Sequence, residues 1–393
     1  MSEQWPMTPI GDFLTQVWRE ETVDPSENYT VLGARWYGEG LFKKVMKSGQ
    51  EICAKSVFRV HEGNFVYTGL FAWKGSFAVA TKAVDGAHVS NEFRCFTGNP
   101  KRIDTYFLWF YFLRESARAP AFGLSTGVTP TSRNRLKESS FLRMKVPLPP
   151  LAEQRRVVAR IEAIAAEINE ARALRQQAIE EAEALLVAMA HRADLVLSEK
   201  ESTGWKRKRL ADVIQFVDDS HKVHPDRSYP NLGIYSFGRG LFRKPPIGGL
   251  ATSAKALRRV KAGQFIHSRL FAFEGAYGRV TPEFDGTFVS QEYPTFNCDQ
   301  QQVRSEFLAA YFKPAHVWKT VAAGSKGLDD RRQRVQPAQL MTHELWLPPI
   351  SWQNRLAEVQ SEVDAMKNLQ ADTAAELDAL LPAILDKAFK GDL

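Results

Sequence analysis

Two long stretches of the chain place apolar residues three or four positions apart. The first runs through Ile161, Ile164, Ile168, Ala171, Leu174, Ala178, Ala182, Leu185 and Met189. The second runs through Leu356, Val359, Val363, Met366, Leu377, Leu380, Ile384 and Ala388. Glu, Gln, Arg and Asp fill the other faces, so both stretches predict amphipathic helices of coiled-coil type. The residues expected to pack are Ile161, Ile164, Ile168, Leu185, Val363, Met366, Leu377, Leu380 and Ile384. A Pro-Pro pair precedes each helix (Pro149-Pro150 and Pro348-Pro349) and stiffens its start, and Pro382 is expected to bend or end the second helix. A first helix of about 40 residues would be ~60 Å long, and a stripe of that length needs a partner. The other helix of the same chain, antiparallel, is the simplest one.

The remaining stretches carry a different pattern. GNFVYTGLFAWKGSFAVATKA and GQFIHSRLFAFEGAYGRVTPE are rich in aromatic and β-branched residues broken by Gly, as in strands. Asp85-Gly86 and Asp285-Gly286 predict tight turns, whereas IDTYFLWFYFLRES and VRSEFLAAYFKPAHVW read as helical.

These stretches form one internal repeat. YTVLGARWYGEGLFKK from Tyr29 matches YPNLGIYSFGRGLFRK from Tyr229, an offset of 200 residues. The same offset pairs Leu70-Phe71-Ala72 with Leu270-Phe271-Ala272, Gly75 with Gly275, and Tyr111-Phe112 with Tyr311-Phe312. VPLPPLAEQRR then aligns with LWLPPISWQNR one residue out of step, and Leu185-Leu186 aligns with Leu380-Leu381 at an offset of 195, so the second helix is about four residues shorter. The expected organisation is an α+β domain over residues 1–147, a helix over 148–199, a second α+β domain over 200–346 and a second helix over 347–393, with the two long helices forming an antiparallel coiled coil and the whole pseudo-two-fold.

Charge follows this division. The 393 residues carry a net +7, and residues 1–150, 151–199, 200–340 and 341–393 have balances of +5, −3, +10 and −5. The domains are basic and can face a polyanion, while the acidic helices should avoid one. No run of eighteen apolar residues is present, so no membrane span is expected. Three widely spaced cysteines (Cys53, Cys95 and Cys298) and no secretory leader pattern fit a reducing, cytoplasmic setting and no metal framework.

Catalytic signals are missing where enzymes of nucleic-acid chemistry need them. Tyr37-Gly38-Glu39-Gly40 and Phe237-Gly238-Arg239-Gly240 have an aromatic-Gly-x-Gly shape, but no Asp/Asn-Pro-Pro-aromatic motif accompanies them. Lys244-Pro245-Pro246-Ile247 lacks both the polar and the aromatic member. No phosphate-binding GxxxxGK[ST] loop occurs. Asp226 has no Glu-x-Lys partner for a nuclease metal site, and the eight histidines form no HExxH set. Asp85 and Asp285 read as turn formers, Glu92 and Glu292 as partners for buried polar groups, and Phe42, Phe242, Phe71 and Phe271 as core.

PLPPLAEQRRVVARIEAI at 147–164, LLPAILDKAFKGDL at 380–393, and the paired segments 70–96 and 270–296 resemble the specificity subunits of type I restriction-modification enzymes over essentially the whole chain. The second copy of the helix signature, LPPISWQNR, departs from the Glu-Gln pair of the first. The resemblance implies a non-catalytic subunit that reads a bipartite double-stranded DNA target through two recognition domains. It implies that the helices set the unread spacer, that two modification subunits dock on the frame, and that restriction subunits can join. It places no cofactor in this chain and S-adenosylmethionine in the methyltransferase partner. A self-contained DNA adenine methyltransferase, or a coiled-coil adaptor that never touches DNA, are the alternatives.

Under this resemblance the DNA-binding candidates flank the repeated glycines: Arg35, Tyr37, Lys43 and Lys44 in the first copy, and Tyr235, Arg239, Arg243 and Lys244 in the second. A second group is Thr126, Arg133 and Arg135, with Lys326, Arg331, Arg332 and Arg334 as its counterpart. Glycine lets backbone approach a phosphate, and Arg can grip guanine. The copies differ at Arg35/Tyr235, Tyr37/Phe237, Glu39/Arg239 and Thr126/Lys326, which implies related but different half-sites.

Overall fold

A computed structural model describes residues 5–126, 134–323 and 334–392. The chain forms two compact units, Met1–Ala173 with Thr373–Leu393 and Leu174–Asp372. Each unit therefore combines one α+β domain with a pair of helical segments.

In unit 1 the strands are β1 (Met7–Pro9), β2 (Leu14–Gln16), β3 (Glu20–Thr22), β4 (Asn28–Ala34), β5 (Leu41–Ser48), β6 (Ser56–Arg59), β7 (Phe65–Thr68), β8 (Phe77–Val79), β9 (His88–Val89), β10 (Phe93–Gly98) and β11 (Lys145–Pro147). They make a five-stranded sheet in the order β3-β6-β9-β4-β5, a four-stranded sheet β2-β10-β7-β8, and the pair β1-β11. Helices α1 (Thr105–Leu113), α2 (Glu115–Gly123) and α3 (Glu138–Arg143) complete the domain, and α4 (Leu151–His191) leaves it.

Unit 2 opens with the short α5 (Leu197–Ser202). Its strands are β12 (Lys206–Arg209), β13 (Ile214–Val217), β14 (Ser220–Lys222), β15 (Ser228–Ile234), β16 (Leu241–Gly248), β17 (Ala256–Arg259), β18 (Phe265–His267), β19 (Tyr277–Arg279), β20 (Phe288–Val289), β21 (Thr295–Cys298) and β22 (Glu344–Leu347). The sheet orders β14-β17-β20-β15-β16, β13-β21-β18-β19 and β12-β22 repeat those of unit 1 strand for strand. In both five-stranded sheets one pairing is parallel, Val31 with His88 and Asn231 with Phe288, and the others are antiparallel. Helices α6 (Ser305–Tyr311), α7 (Ala315–Ala322), α8 (Pro337–Met341), α9 (Ile350–Asp372) and α10 (Ala374–Ala388) follow, the last in unit 1. The Asp-Gly turns form as expected: Gly86 and Gly286 take φ of 72° and 70°. Asp85 and Asp285 each accept a backbone N–H from the neighbouring turn, from Glu62 at 2.9 Å and Ala262 at 2.8 Å.

Large aromatic side chains fill the core beneath each four-stranded sheet. In unit 1 Phe65, Phe77, Phe112 and Phe141 are fully buried against one another, and the same core takes in Val157 and Ile161 of α4 and Leu385 and Ala388 of α10. In unit 2 Phe265, Tyr277 and Phe312 join Leu186 and Ala190 of α4 and Leu356 and Val363 of α9. The helix stripe thus serves two purposes at once: it pairs the helices and closes the base of each domain.

One polar contact fixes that closure in both copies. Gln154 is fully buried. Its amide donates to Arg102 O and Pro149 O, both at 2.8 Å, and accepts Asp104 N–H at 2.9 Å. Gln353, equally buried, donates to Gln302 O at 2.8 Å and Pro348 O at 2.9 Å and accepts Arg304 N–H at 2.8 Å. The second helix signature therefore keeps the glutamine and loses only the glutamate, which is Trp352, and its helix starts cleanly at Ile350. The Trp352 indole donates to Met189 O at 3.0 Å across the helix pair.

The pairing within each unit is antiparallel. In unit 2 Met189 meets Trp352 and Arg175 meets Gln370, its guanidinium donating to the Gln370 carbonyl at 3.0 Å. In unit 1 Arg172 pairs with Asp378 at 2.7 Å. Of the packing residues read from periodicity, Ile161, Ile168 and Val363 are buried, and Ile164, Met366, Leu377 and Ile384 are half-buried. Leu185 and Leu380 are not packed; they are 51% and 44% exposed. The seam runs through Leu186 and, a few turns earlier, through Arg175, whose aliphatic stem can lie on an apolar surface while its head reaches a carbonyl. Leu174 beside it is exposed. Pro382 does not end the second helix either. It lies inside α10, and the break falls at Thr373. The loss of one hydrogen bond at Pro382 is offset by Leu381, Leu385 and Ala388 seated in the unit 1 core.

Two stability predictions follow from this core. Gln353→Met keeps the volume but strands the backbone N–H of Arg304 and two carbonyls, and should cost about 1–3 kcal/mol in urea unfolding. His267, fully buried where the first copy has Tyr67, reaches Val335 O at 3.2 Å, much as the Tyr67 hydroxyl reaches Leu136 O at 3.5 Å. Burial lowers the His267 pKa from 6.5 to about 4. The unfolded chain thus takes up this proton below pH 6.5 and the folded chain does not, so its share of stability is whole above 6.5 and is lost as pH falls toward 4. His267→Tyr should flatten the stability profile between pH 6.5 and 4, read by thermal unfolding across that range.

Candidate nucleic-acid interface

The turns joining β4 to β5 and β15 to β16 carry the repeated aromatic-Gly-x-Gly sequence. Each is closed by a hydrogen bond across its neck, Arg35 N–H to Gly40 O at 3.0 Å and Tyr235 N–H to Gly240 O at 2.9 Å. Each is also tied to a second glycine turn, Gly38 N–H to Gly75 O at 2.7 Å and Gly238 N–H to Gly275 O at 3.0 Å. The loops lie tightly on the helices beneath them. A Cβ on Gly38, at φ +77°, would stand 2.0 Å from Leu113 Cδ2, and one on Gly238, at φ +66°, would stand 3.0 Å from the Lys313 Cα. Trp109 of α1 donates to Gly38 O at 3.0 Å.

This clamping forces the residue before each glycine into an unusual conformation. Tyr37 and Phe237 have φ of 58° and 63°, a left-handed backbone that bulky side chains rarely adopt. They are also 60% and 63% exposed. Two copies of the domain hold the same kind of side chain out from the same strained position, and strain of this sort gathers at functional surfaces.

Basic and aromatic groups lie around Tyr37 in unit 1 and, in unit 2, at Tyr235 and Phe242 of the same loop and strand. In unit 1 Trp36 packs on Phe71 with centroids 5.7 Å apart, and the Lys74 ammonium lies 3.8 Å from the Trp36 ring centre. The Arg118 guanidinium stands 5.8 Å from the Tyr37 ring. Burial pushes the Arg118 pKa down from its ordinary value. In unit 2 Tyr235 stacks on Phe242 at 4.1 Å, the Arg239 guanidinium lies 4.8 Å from Tyr235, and the Lys244 ammonium 5.6 Å from Phe242.

The candidates named from sequence divide into three groups. Arg35, Tyr37, Lys43 and Lys44 are exposed on or beside the first loop, Arg35 5.2 Å over Phe42. Tyr235 and Arg239 are exposed on the second loop with half-buried Lys244 beside it, while Arg243 turns back to the Glu283 carbonyl and the Phe284 ring. Thr126 is exposed and bridges to Arg135. Arg135 is paired with Glu92 at 2.8 Å, and Arg334 approaches Glu292 at 3.8 Å beside Arg269 at 2.8 Å. Arg133, Lys326, Arg331 and Arg332 lie outside the described residues.

Phe71 and Phe271, read as core, are instead 40% and 46% exposed, because the turn that follows β7 and β18 buries the neighbouring Ala72 and Ala272 and throws the phenylalanine outward. Phe42 and Phe242 are half-buried and serve as platforms. Trp36, Phe71, Lys74, Arg118, Phe237 and Phe271 are further candidates at this surface that the sequence list did not include. Among the described residues no cluster of three or more His, Cys, Asp or Glu side chains could hold a metal ion, and no helix is long and apolar enough to cross a membrane.

The chain is thus a duplicated α+β domain, each copy closed by a helix pair and presenting a basic-aromatic loop. Residues 3–181 match the family model described as "Type I restriction modification DNA specificity domain". The fold of the chain is similar to that of the HsdS subunit from Thermoanaerobacter tengcongensis, with 20% identity, a TM-score of 0.55, and coverage of 100% of this chain and 98% of the other. It is also similar to a chain from a structural study of complex assembly and conformational transition of the type I R-M system, with 20% identity, a TM-score of 0.63, and coverage of 100% and 99%. No curated protein sequence matches the chain.

The strained aromatics yield a stability test. Replacing Tyr37 or Phe237 by Gly removes a left-handed penalty of about 1–2 kcal/mol and gives up little packing, against about 0.5–1 kcal/mol of added chain entropy. Thermal unfolding of both variants should show stability unchanged or raised.

Proposed function

We propose that the chain is a non-catalytic, HsdS-type specificity subunit of a type I restriction-modification system, in which each unit reads one half of a split duplex target through its exposed loop, unit 1 by Trp36, Tyr37 and Lys74 with Arg35, and unit 2 by Tyr235, Phe237 and Arg239 with Lys244. The observation that carries this reading is the outward aromatic held twice at a left-handed position among cations. Aromatic faces suit apolar contact with base edges and thymine methyl groups, and the flanking Lys and Arg suit phosphates. Lys43 and Lys44 on the edge strand β5, and Arg133, Arg135, Lys326, Arg331, Arg332 and Arg334 in the second candidate group, would add backbone contacts.

In this reading α4, α9 and α10 set the unread spacer. Two modification subunits dock on the chain and supply the methyl-donor chemistry, and restriction subunits join them. The domain limits proposed for these roles are 1–147, 148–199, 200–346 and 347–393. The side chains that differ between the loops, Arg35 against Tyr235 and Glu39 against Arg239, make the two half-sites different in sequence.

The test uses the complex with its modification subunit and duplexes carrying the target found by sequencing methylated adenines. Binding should fall steeply with salt, as phosphate contacts require, and should fall on scrambling either half. Tyr37→Gly should weaken discrimination in one half only and Phe237→Gly in the other only, each by about tenfold. Equal binding to unrelated duplexes would end this reading.

A further inference from the structure

The two domains sit on their helices by different chemistry. In unit 1 Gly38 of the reading loop rests on Leu113, and the helix pair beneath is joined by Arg172 and Asp378. In unit 2 Gly238 rests on Lys313, the counterpart of Leu113. The Lys313 ammonium reaches Glu183 of α4 at 3.4 Å, and the other Glu183 oxygen is held by Lys367 of α9. Glu183 and Lys367 occupy the repeat positions of Asp378 and Arg172, so the helix-to-helix ion pair is common to both units. Among the described residues a domain side chain enters this pair in unit 2 alone; in unit 1 the domain reaches the helices one residue on from Leu113, through Arg114 to Asp386 of α10 at 2.8 Å.

A second link runs beside the first. Arg279, where unit 1 has Val79, pairs with Asp364 of α9 at 2.7 Å and with Glu306 at 3.3 Å. Between the loop and the helices lies a cavity of about 160 Å³ lined by Gly238, Lys313, Glu183, Asp364 and Lys367. Its wall includes Tyr277, whose hydroxyl is buried without a hydrogen-bond partner and whose counterpart is Phe77. Three apolar residues of the first copy (Phe77, Val79 and Leu113) have thus become Tyr277, Arg279 and Lys313 at one place. Lys313 and Glu183 are both half-buried, which limits screening by salt and sharpens the geometric demand of the pair.

We infer that Lys313 is a positioning residue: through Glu183 it locks the second reading loop at one setting on the α4–α9 helix pair, and thereby makes the unit 2 contact with DNA strict in spacing. The inference rests on the loop reading proposed above. The lock acts on the loop because the Lys313 backbone is the surface on which Gly238 lies.

Lys313→Leu installs the residue that the first copy uses at this position, and leaves Glu183 paired with Lys367, so the variant keeps a satisfied interface. Lys313→Arg keeps the charge. In the full complex with its modification subunit, binding is measured to duplexes carrying both half-sites with the spacer at its native length and one base pair longer or shorter. Wild type and Lys313→Arg should reject the altered spacers; Lys313→Leu should accept them about tenfold better relative to the native spacer, with discrimination at the first half-site unchanged. Amide hydrogen exchange on the free chain provides a readout without DNA: residues 236–240 should exchange about tenfold faster in Lys313→Leu, and residues 36–40 should not change. A wild-type complex that selects its spacer beside a Lys313→Leu complex that selects it equally well, with unchanged exchange at 236–240, overturns the lock and leaves the loop reading standing. A wild-type complex indifferent to sequence overturns both.

Discussion

The fully buried glutamine at the start of each helix pair is the contact on which the placement of everything else depends. Gln154 and Gln353 each satisfy three backbone groups that would otherwise be stranded between the domain and the helix. A glutamate could accept but not donate to the two carbonyls, and a shorter asparagine lacks a methylene of reach. The bond to Asp104 N–H holds the segment at which α1 begins, and Asp104 itself caps that helix by accepting Tyr106 N–H at 3.0 Å. From the fixed helix, Trp109 holds the carbonyl of Gly38 and Leu113 lies under its Cα. In unit 2 the same sequence runs from Gln353 through Arg304 and α6 to Lys313 and Gly238. One amide at the base of a domain thus sets the position of a loop at its surface through a rigid helix.

The duplication of the fold was open to reading because the offset of 200 residues keeps sheet-forming and turn-forming positions in step, and β1–β11 and β12–β22 indeed repeat in order. The candidate loops were open to reading for the same reason: paired glycines in two copies mark a required backbone shape. The left-handed aromatic was not, because no local preference puts Tyr37 or Phe237 there. The cause is tertiary, in the bonds from Gly38 to Gly75 and from Gly238 to Gly275, some 37 residues along the chain. Phe71 and Phe271 misled for a related reason. Their apolar identity suggests burial, yet the turn gives the buried place to a smaller alanine, and nothing in the residue type reports which way the turn faces.

The helices show the limit of periodicity. Leu174 and Leu185 fit the apolar stripe as well as their neighbours do, but the seam passes through Arg175 and Leu186. A period of three or four residues tolerates a one-position shift without losing its pattern, and the choice is made by the partner surface: the Gln370 carbonyl that Arg175 reaches, and the domain core that Leu186 enters. The exposed leucines that result, with Leu380, are apolar surface that the described residues leave largely open.

What holds a largely exposed aromatic residue in a costly conformation has to be worth more than the cost. Tyr37 and Phe237 receive little from their own fold: each is largely in solvent, and glycine would meet the backbone demand without strain. The return therefore comes from outside the chain. A rigid aromatic ring with two rotatable bonds offers large contact area for little ordering entropy. A base edge with a methyl group, or an opened base step, is the DNA surface that such a ring suits. The cations of the loop regions differ between copies, Lys74 on Trp36 and Arg118 on Tyr37 in the first, Arg239 on Tyr235 and Lys244 on Phe242 in the second, while the outward ring and its left-handed backbone stay the same. In the loop reading proposed above, a constant aromatic would set how the loop seats on a duplex, and the variable polar neighbours would decide which bases that seat accepts. One fold can then be used twice in a chain to read two different sequences.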